Sequence, residues 1–222
     1  MKLPSAMMVR TGKADLMVAG VNHATRRVIE AAASCIGLAD DSSVASSFFI
    51  MIFADRPPLV FADCAVNVDP VAAELADIAI NSAANAQRLL QIPAKVALLS
   101  FSTKGSASHV RVDKVTQALQ IARKKAPDLV IDGELQVDSA LVAGIAAQKT
   151  GDSGPVGGAA NVLIFPDLDA ANIGYKLVKH LARAQAIGPI LQGFALPVAD
   201  LSRGASVDEI VSTSIIALAM ME

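Results

Sequence analysis

Short apolar runs alternate along the chain with longer segments in which apolar residues recur every three or four positions. The short runs have the length of buried strands, and the longer segments have the period of helices packed on one face. This alternation favours an α/β fold with βαβ units and a largely parallel sheet. The predicted strands are residues 16–19, 48–53, 59–62, 95–100, 129–131, 161–165 and 189–194, with no strand expected after the last of these.

Proline and aspartate mark the boundaries of two of these elements. Pro57 and Pro58 cannot sit in a central strand, so the runs on either side of them are predicted to form a hairpin. Asp69 followed by Pro70 predicts a helix start, with the aspartate as N-cap. The apolar helix faces expected to pack on the sheet are Val71, Leu75 and Ile78; Val112, Val115, Leu119 and Ala122; and Ile173, Leu177 and Leu181.

Composition limits the kinds of partner. The 222 residues are 53% hydrophobic and 18% charged, as in a globular chain with one large or two small domains. The net charge of -2 argues against nucleic acid or an anionic membrane as a partner bound through bulk charge. A phosphate-bearing ligand would need a local basic cluster. Without a secretory leader or a transmembrane run, we expect a cytoplasmic protein.

Neither a metal nor a permanently bound cofactor is expected. Cys35 and Cys64 match no zinc spacing, and no set of histidine, cysteine and carboxylate residues has the spacing of metal ligands. The glycine-rich nucleotide motifs GxxxxGK[ST] and GxGxxG are also missing from the sequence.

One polar segment has the pattern of an anion site. Ser206 and Glu209 fit a capping box, so a helix is predicted to start there, directly after Ser202, Arg203 and Gly204. Free backbone N–H groups at a helix start attract anions, and an arginine adds a forked donor suited to phosphate. An ordinary capped helix with an exposed arginine is the alternative.

Two further polar segments follow predicted strands. Residues 100–106, Ser-Phe-Ser-Thr-Lys-Gly-Ser, form a hydroxyl-rich turn, and His23 lies just after the first strand. Ligands of open α/β sheets bind beyond the carboxyl ends of strands, so both segments are placed where a site could form. Turns of this composition are also common as plain loops.

Taken in order, these segments resemble the phosphate acetyltransferase and phosphate butyryltransferase family, and the acetyl branch more closely. The resemblance runs from about Met7 to the end of the chain. It is carried by residues 12–15, 20–25, 60–67, 99–106, 132–136, 160–168, 187–193 and 197–204.

The resemblance implies two three-layer α/β domains with a cleft between them, a fold related to that of the isocitrate and isopropylmalate dehydrogenases. Residues 1–38 and 186–222 would form part of the first domain, and residues 39–185 would form the second. The first domain is expected to be incomplete, because family members carry a further N-terminal segment. Residues 7–12 agree with this, since they predict the end of a helix capped by Gly12.

The resemblance also implies a reaction and a site. An acetyl group would pass reversibly between coenzyme A and inorganic phosphate, with acetyl-CoA, phosphate and acetyl phosphate as the small-molecule partners, coenzyme A as a substrate, and a homodimer as the assembly. The implied catalytic residues are Ser202, Arg203, Glu209 and Asp208. The implied substrate-binding residues are His23, Thr25, Arg26, Ser102, Thr103 and Gly204.

The chain departs from the family pattern at two positions. Glu209 stands where the family usually has aspartate, with Asp208 beside it, and Glu30 stands where an arginine is expected. Arg26 and Arg27 lie one turn before Glu30, and either could replace that arginine. Because of these departures, a non-catalytic acyl-CoA-sensing domain is an alternative function for the chain. A phosphate butyryltransferase is a further alternative. A dehydrogenase is disfavoured, because the clustered acids and arginines that bind a metal-bound hydroxy acid are missing.

Overall fold

The computed structural model describes residues 2–151, 154–202 and 204–220, apart from the side chain of Lys2. Eight helices and eight strands lie within these ranges. The helices are α1 (Lys2–Arg10), α2 (Thr25–Cys35), α3 (Ala72–Leu90), α4 (Val110–Lys125), α5 (Val137–Leu141), α6 (Ala143–Thr150), α7 (Leu168–Leu181) and α8 (Val207–Ala219). The strands are β1 (Met17–Ala19), β2 (Ser46–Ile52), β3 (Leu59–Ala62), β4 (Lys95–Leu99), β5 (Val130–Leu135), β6 (Val162–Ile164), β7 (Gln185–Gln192) and β8 (Val198–Asp200).

All eight strands join one sheet in the order β1-β8-β7-β2-β3-β6-β4-β5. The sheet is parallel in two blocks, β1–β8 and β3–β6–β4–β5, and antiparallel between them. The hairpin predicted around the proline pair is confirmed by the antiparallel pairing of β2 with β3. The expectation of a largely parallel sheet is wrong in the middle, where β7 lies antiparallel to both neighbours.

Helices cover both faces of the sheet. On one face α3 and α4 bury Leu75, Ile78 and Val115 against β2, β3, β4 and β6. The other face is covered by α5 and α7, with Phe49 and Leu163 at the centre of a second cluster. Strands buried on both faces explain why β2 reads as a continuous apolar run. The prediction of a three-layer α/β fold is confirmed; the sheet continues across the proposed domain boundaries, which stay a prediction.

Two predictions about element ends are wrong. A strand, β8, follows the one expected to be last, and its three residues are too short to show a period. Asp69 is not the N-cap of α3. Val71 is, because the Glu74 carboxylate accepts a hydrogen bond of 2.9 Å from its N–H, while Asp69 Oδ1 accepts one of 2.5 Å from Lys114 Nζ on α4.

The predicted apolar face of α7 points away from the sheet. Ile173, Leu177 and Leu181 are 57%, 52% and 80% exposed, whereas Ala171 and Val178 of the same helix pack on the core. The expectation that the first three residues pack on the sheet is therefore wrong. None of the described helices is both long and apolar enough to cross a membrane.

Candidate functional site

The carboxyl ends of β1 and β8 meet at one edge of the sheet, because the two strands are parallel neighbours with Ala19 opposite Asp200. A cavity of about 290 Å³ opens beside this edge, between α7 and the first turn of α8. Six of its lining residues are polar or charged: Thr25, Asn172, Lys179, Asp200, Ser202 and Glu209. Ligand sites in α/β sheets form at such an edge.

A short hydrogen bond joins the start of α2 to the end of β8. Thr25 Oγ1 donates to Asp200 Oδ2 at 2.5 Å, and Asp200 is buried. Gly20 makes the approach possible, since a Cβ at this position would collide with the Asp200 carboxylate and with the Leu201 backbone. This contact fixes the start of α2 against the end of β8, directly beside Ser202.

The start of α8 forms the capping box that the sequence predicts. Ser206 Oγ accepts from the Glu209 N–H at 3.2 Å, and Glu209 Oε2 accepts from the Ser206 N–H at 2.8 Å. Glu209 Oε1 lies 3.5 Å from Lys179 Nζ. The hydrogen bond from the Ser206 backbone, together with the Lys179 charge, holds the pKa of Glu209 below its ordinary value. At neutral pH the carboxylate is therefore ionised.

The cavity lining also includes aromatic and apolar residues. Phe49 and Tyr175 stack there with ring centroids 4.4 Å apart and an interplanar angle of 17°. A Cβ at Gly188 would lie 2.9 Å from Phe49 Cδ1, so this glycine leaves the space that the ring occupies. Burial raises the pKa of the Tyr175 hydroxyl. Pro189, Leu168 and Ala186 complete this wall. The lining of this cavity thus combines charged and aromatic side chains.

Three of the predicted site residues line this cavity: Ser202, Thr25 and Glu209. Arg203 lies outside the described residues. Asp208, next to Glu209, is exposed in the first turn of α8, and Gly204 is exposed in the loop before it. Neither is among the residues that line the cavity.

His23 and Arg26 do not line this cavity. His23 lines a neighbouring, more open depression of about 630 Å³ together with Arg27 and Glu30. Arg26 is mostly exposed, and its Nε pairs with Glu30 Oε1 one turn along α2 at 2.8 Å. Their roles in binding substrate stay predictions.

Ser102 and Thr103 point into the protein. Ser102 Oγ donates to Glu134 Oε1 at 2.8 Å, and Thr103 Oγ1 accepts from the Gln136 N–H at 2.9 Å. The Gly105 N–H donates to the same Glu134 oxygen at 2.7 Å, and Glu134 is buried. These contacts tie the 100–106 turn to β5. Substrate binding by Ser102 and Thr103 stays a prediction.

Sequence reasoning missed the contribution of α7. Leu168, Asn172, Tyr175 and Lys179 recur at helical spacing and line the cavity, while Ile173, Leu177 and Leu181 face outward. Asn172 Nδ2 donates to the Cys64 carbonyl at 3.1 Å. Their spacing of three and four positions is the signal for this face, but the opposite face carries more apolar residues and therefore has the stronger pattern of a core face. No group of three or more metal-binding side chains occurs within residues 2–151, 154–202 and 204–220.

Comparison with known proteins decides the family. The profile of the phosphate acetyl/butaryl transferase family matches residues 2–218. The chain belongs to this family. A phosphate acetyltransferase of Thermoanaerobacterium thermosaccharolyticum is 54% identical over 210 residues, which are 92% of this chain and 64% of that protein. The chain therefore spans about 64% of the length of this curated relative.

Solved structures agree with the family fold. A phosphotransacetylase from Streptococcus pyogenes is 46% identical with a TM-score of 0.95, and the match covers 99% of this chain and 66% of that one. A 4-hydroxythreonine-4-phosphate dehydrogenase from Klebsiella pneumoniae matches with a TM-score of 0.58 at 10% identity, over 100% of this chain and 68% of that one. The second match shows the fold alone and confirms the predicted relation to dehydrogenase-like folds.

Proposed function

We propose that this chain carries the site of a phosphate acetyltransferase, which moves an acetyl group reversibly between coenzyme A and inorganic phosphate. The main support is that Ser202, Thr25 and Glu209 line one cavity together with apolar and aromatic residues. Curated relatives named phosphate acetyltransferase add weight to the acetyl assignment. The relatives that bear this name are longer than this chain, which spans about 64% of the first of them.

The proposed step is a direct transfer. The thiolate of coenzyme A attacks the carbonyl carbon of acetyl phosphate, a C–S bond forms, and the C–O bond to phosphate breaks. The proton of the thiol passes to a carboxylate, and inorganic phosphate leaves. A thiolate is the reactive form of a thiol, so a base near the sulfur raises the rate.

The family resemblance assigns a residue to each part of this step. Ser202 donates a hydrogen bond to the reacting acyl phosphate, and Arg203 binds its phosphate group. Glu209 accepts the thiol proton, with Asp208 as the neighbouring alternative. A donor aimed at developing charge contributes on the order of a hundredfold in rate. Among the proposed substrate-binding residues, Thr25 has the added support that it lines the cavity. Family resemblance alone supports a binding role for the others, which are His23, Arg26, Ser102, Thr103 and Gly204.

Acetyl-CoA, phosphate and acetyl phosphate are the proposed partners, in the cytoplasm, with coenzyme A as a substrate. A homodimer is the proposed assembly. Exposed apolar residues on two helices support a dimer. On α7 these are Ile173, Leu177 and Leu181, and on α8 they are Val207, Val211 and Ile215, which are 74%, 50% and 61% exposed. Apolar stripes of this kind are typical of association surfaces. A chain that stays monomeric in light scattering at micromolar concentration contradicts the dimer.

The test is thioester formation from acetyl phosphate and coenzyme A. We expect turnover by the wild-type chain, and its loss in Ser202→Ala combined with Arg203→Ala. Ser214→Ala is the matched control, because Ser214 Oγ donates only to the Ile210 carbonyl of its own helix. A folded chain that binds acetyl-CoA but gives no turnover supports the acyl-CoA-sensing alternative.

A further inference from the structure

Helix α7 brings a positive charge to the cavity, at Lys179. The described lining residues include two carboxylates, Asp200 and Glu209, and a single cation, Lys179. Inorganic phosphate and acyl phosphates carry up to two negative charges at neutral pH. The ionised Glu209 carboxylate would repel such a group, because the protein screens charges less than water does. A cation beside Glu209 would therefore favour phosphate in this cavity, in addition to the Arg203 proposed above to bind it.

Lys179 is free to change its partner. Its Nζ lies 3.5 Å from Glu209 Oε1, which is too long for a strong charge-assisted hydrogen bond. The Lys179 side chain keeps 40% of its surface exposed, so its ammonium can turn without unfolding the helix. Glu209 keeps its position without it, since Ser206 holds the other carboxylate oxygen at 2.8 Å.

We propose that Lys179 binds the phosphate group of the substrate, moving from Glu209 Oε1 to the phosphate oxygens when the site fills. This inference rests on the proposed acyl transfer and adds a substrate-binding residue to it. An ammonium has three donors on a flexible stem, which suits it to follow a phosphate as the phosphate is released.

The exchange of partners links phosphate binding to the proposed base. While Lys179 faces Glu209, its charge stabilises the ionised carboxylate and makes it a weaker base. Once the ammonium turns to the phosphate, Glu209 Oε1 loses this neighbour and accepts a proton more readily. The thiol of coenzyme A would then be deprotonated mainly when the second substrate is in place.

A purely structural role for Lys179 predicts something different. If the lysine only joined α7 to α8, its loss would lower stability and reduce turnover without discriminating between substrates. Phosphate contact instead predicts a selective loss of affinity for phosphate and acetyl phosphate. Lys179→Arg keeps the charge and should restore most of the affinity, whereas Lys179→Gln should not.

The experiment measures binding of inorganic phosphate by calorimetry, independently of turnover. The variants are Lys179→Gln, Lys179→Arg and Lys124→Gln. Lys124 is the matched control, because it lies in the last turn of its helix, as Lys179 does, and is exposed on α4 at the other face of the sheet. We expect Lys179→Gln to weaken phosphate binding by about tenfold, the loss of one charge-assisted contact. Lys179→Arg and Lys124→Gln should stay within about threefold of wild type.

Steady-state kinetics provide the second readout. Lys179→Gln should raise the KM for phosphate and acetyl phosphate by about tenfold and leave the KM for coenzyme A within about twofold. Phosphate binding that is absent from the wild-type chain, or equal in wild type and Lys179→Gln, overturns the inference. Wild-type phosphate binding that weakens in Lys179→Gln, without any turnover, upholds Lys179 and counts against the acyltransferase proposal.

Discussion

Thr25 Oγ1 donates a hydrogen bond of 2.5 Å to Asp200 Oδ2, although 175 positions separate the two residues in the sequence. The bond joins the start of α2 to the end of β8 and holds both beside Ser202. Asp200 is buried, so water does not replace the bond when its donor is removed, and an unsatisfied buried acceptor is costly.

Thr25→Val keeps the shape of the side chain and removes this donor. We expect the free energy of unfolding to fall by about 1–3 kcal/mol. Turnover should fall on the order of tenfold, since the loop that carries Ser202 shifts relative to α2. Urea unfolding and initial-rate kinetics measure the two effects. Thr116→Val is the control, because Thr116 Oγ1 bonds only to the exposed carbonyl of Asp113; an equal loss in both variants contradicts the prediction.

Ser206→Ala tests the capping box at the start of α8. The change removes the oxygen that accepts from the Glu209 N–H, and N-cap losses of this kind cost about 1 kcal/mol. Glu209 then loses part of its positioning, so turnover should fall while phosphate affinity changes little. Thermal unfolding checks the first effect and kinetics the second. Stability within error of wild type contradicts the cap seen here.

The contrast between α8 and α7 shows what the sequence could predict. The Ser206–Glu209 box depends on residues three positions apart, so the sequence contains the whole interaction. The β2–β3 hairpin is equally local, since a proline pair separates two short apolar runs. Ser202 could be placed in the site because it directly precedes this local helix start and matches the family pattern.

The remaining contacts depend on chain segments far apart in sequence. Lys179 meets Glu209 across 30 positions, and Phe49 stacks on Tyr175 through the packing of α7 against β2. The face of α7 was predicted wrongly because its apolar residues Ile173 and Leu177 have the pattern of a core face, yet they are exposed. Burial depends on which neighbours are present, and periodicity alone does not show that.

Glu209→Gln separates the charge of this residue from its capping role, since glutamine also completes a capping box. The pKa of Glu209 is lowered in the folded protein by the Ser206 hydrogen bond and Lys179, so its charge stabilises the fold. That contribution is complete above the ordinary carboxylate pKa of about 4.3 and is lost as the pH falls through the lowered folded value. At pH 7 the free energy of unfolding should therefore be higher for wild type than for Glu209→Gln. This difference should shrink below about pH 4.

Turnover gives a second check on Glu209→Gln. Loss of a general base reduces rates by about 10²–10⁴, so this variant should lose most activity at neutral pH while remaining folded. The rate of the wild-type chain should fall on the acid side as Glu209 becomes protonated. Activity retained within about threefold of wild type points to another base, with Asp208 next in line.

Phe49→Leu tests whether the aromatic wall limits the length of the acyl group. The change replaces the Phe49 ring beside Tyr175 by a smaller side chain and so enlarges the cavity. One methylene in an apolar pocket changes the discrimination between substrates by about 10- to 200-fold. We expect kcat/KM for butyryl phosphate relative to acetyl phosphate to rise about tenfold, the lower end of that range. Leucine is chosen because Phe→Ala in a core costs about 3–5 kcal/mol and endangers folding.

Phe61→Leu is the matched control for this comparison. Phe61 is buried in the same core layer, and its ring centroid lies 5.3 Å from that of Phe165, but Phe61 does not line the cavity. Both variants should therefore lose similar stability, while only Phe49→Leu changes the preference between acyl chains. If the butyryl-to-acetyl ratio stays constant in Phe49→Leu, or shifts equally in Phe61→Leu, the acyl group does not reach the Phe49–Tyr175 wall, and chain length is selected elsewhere.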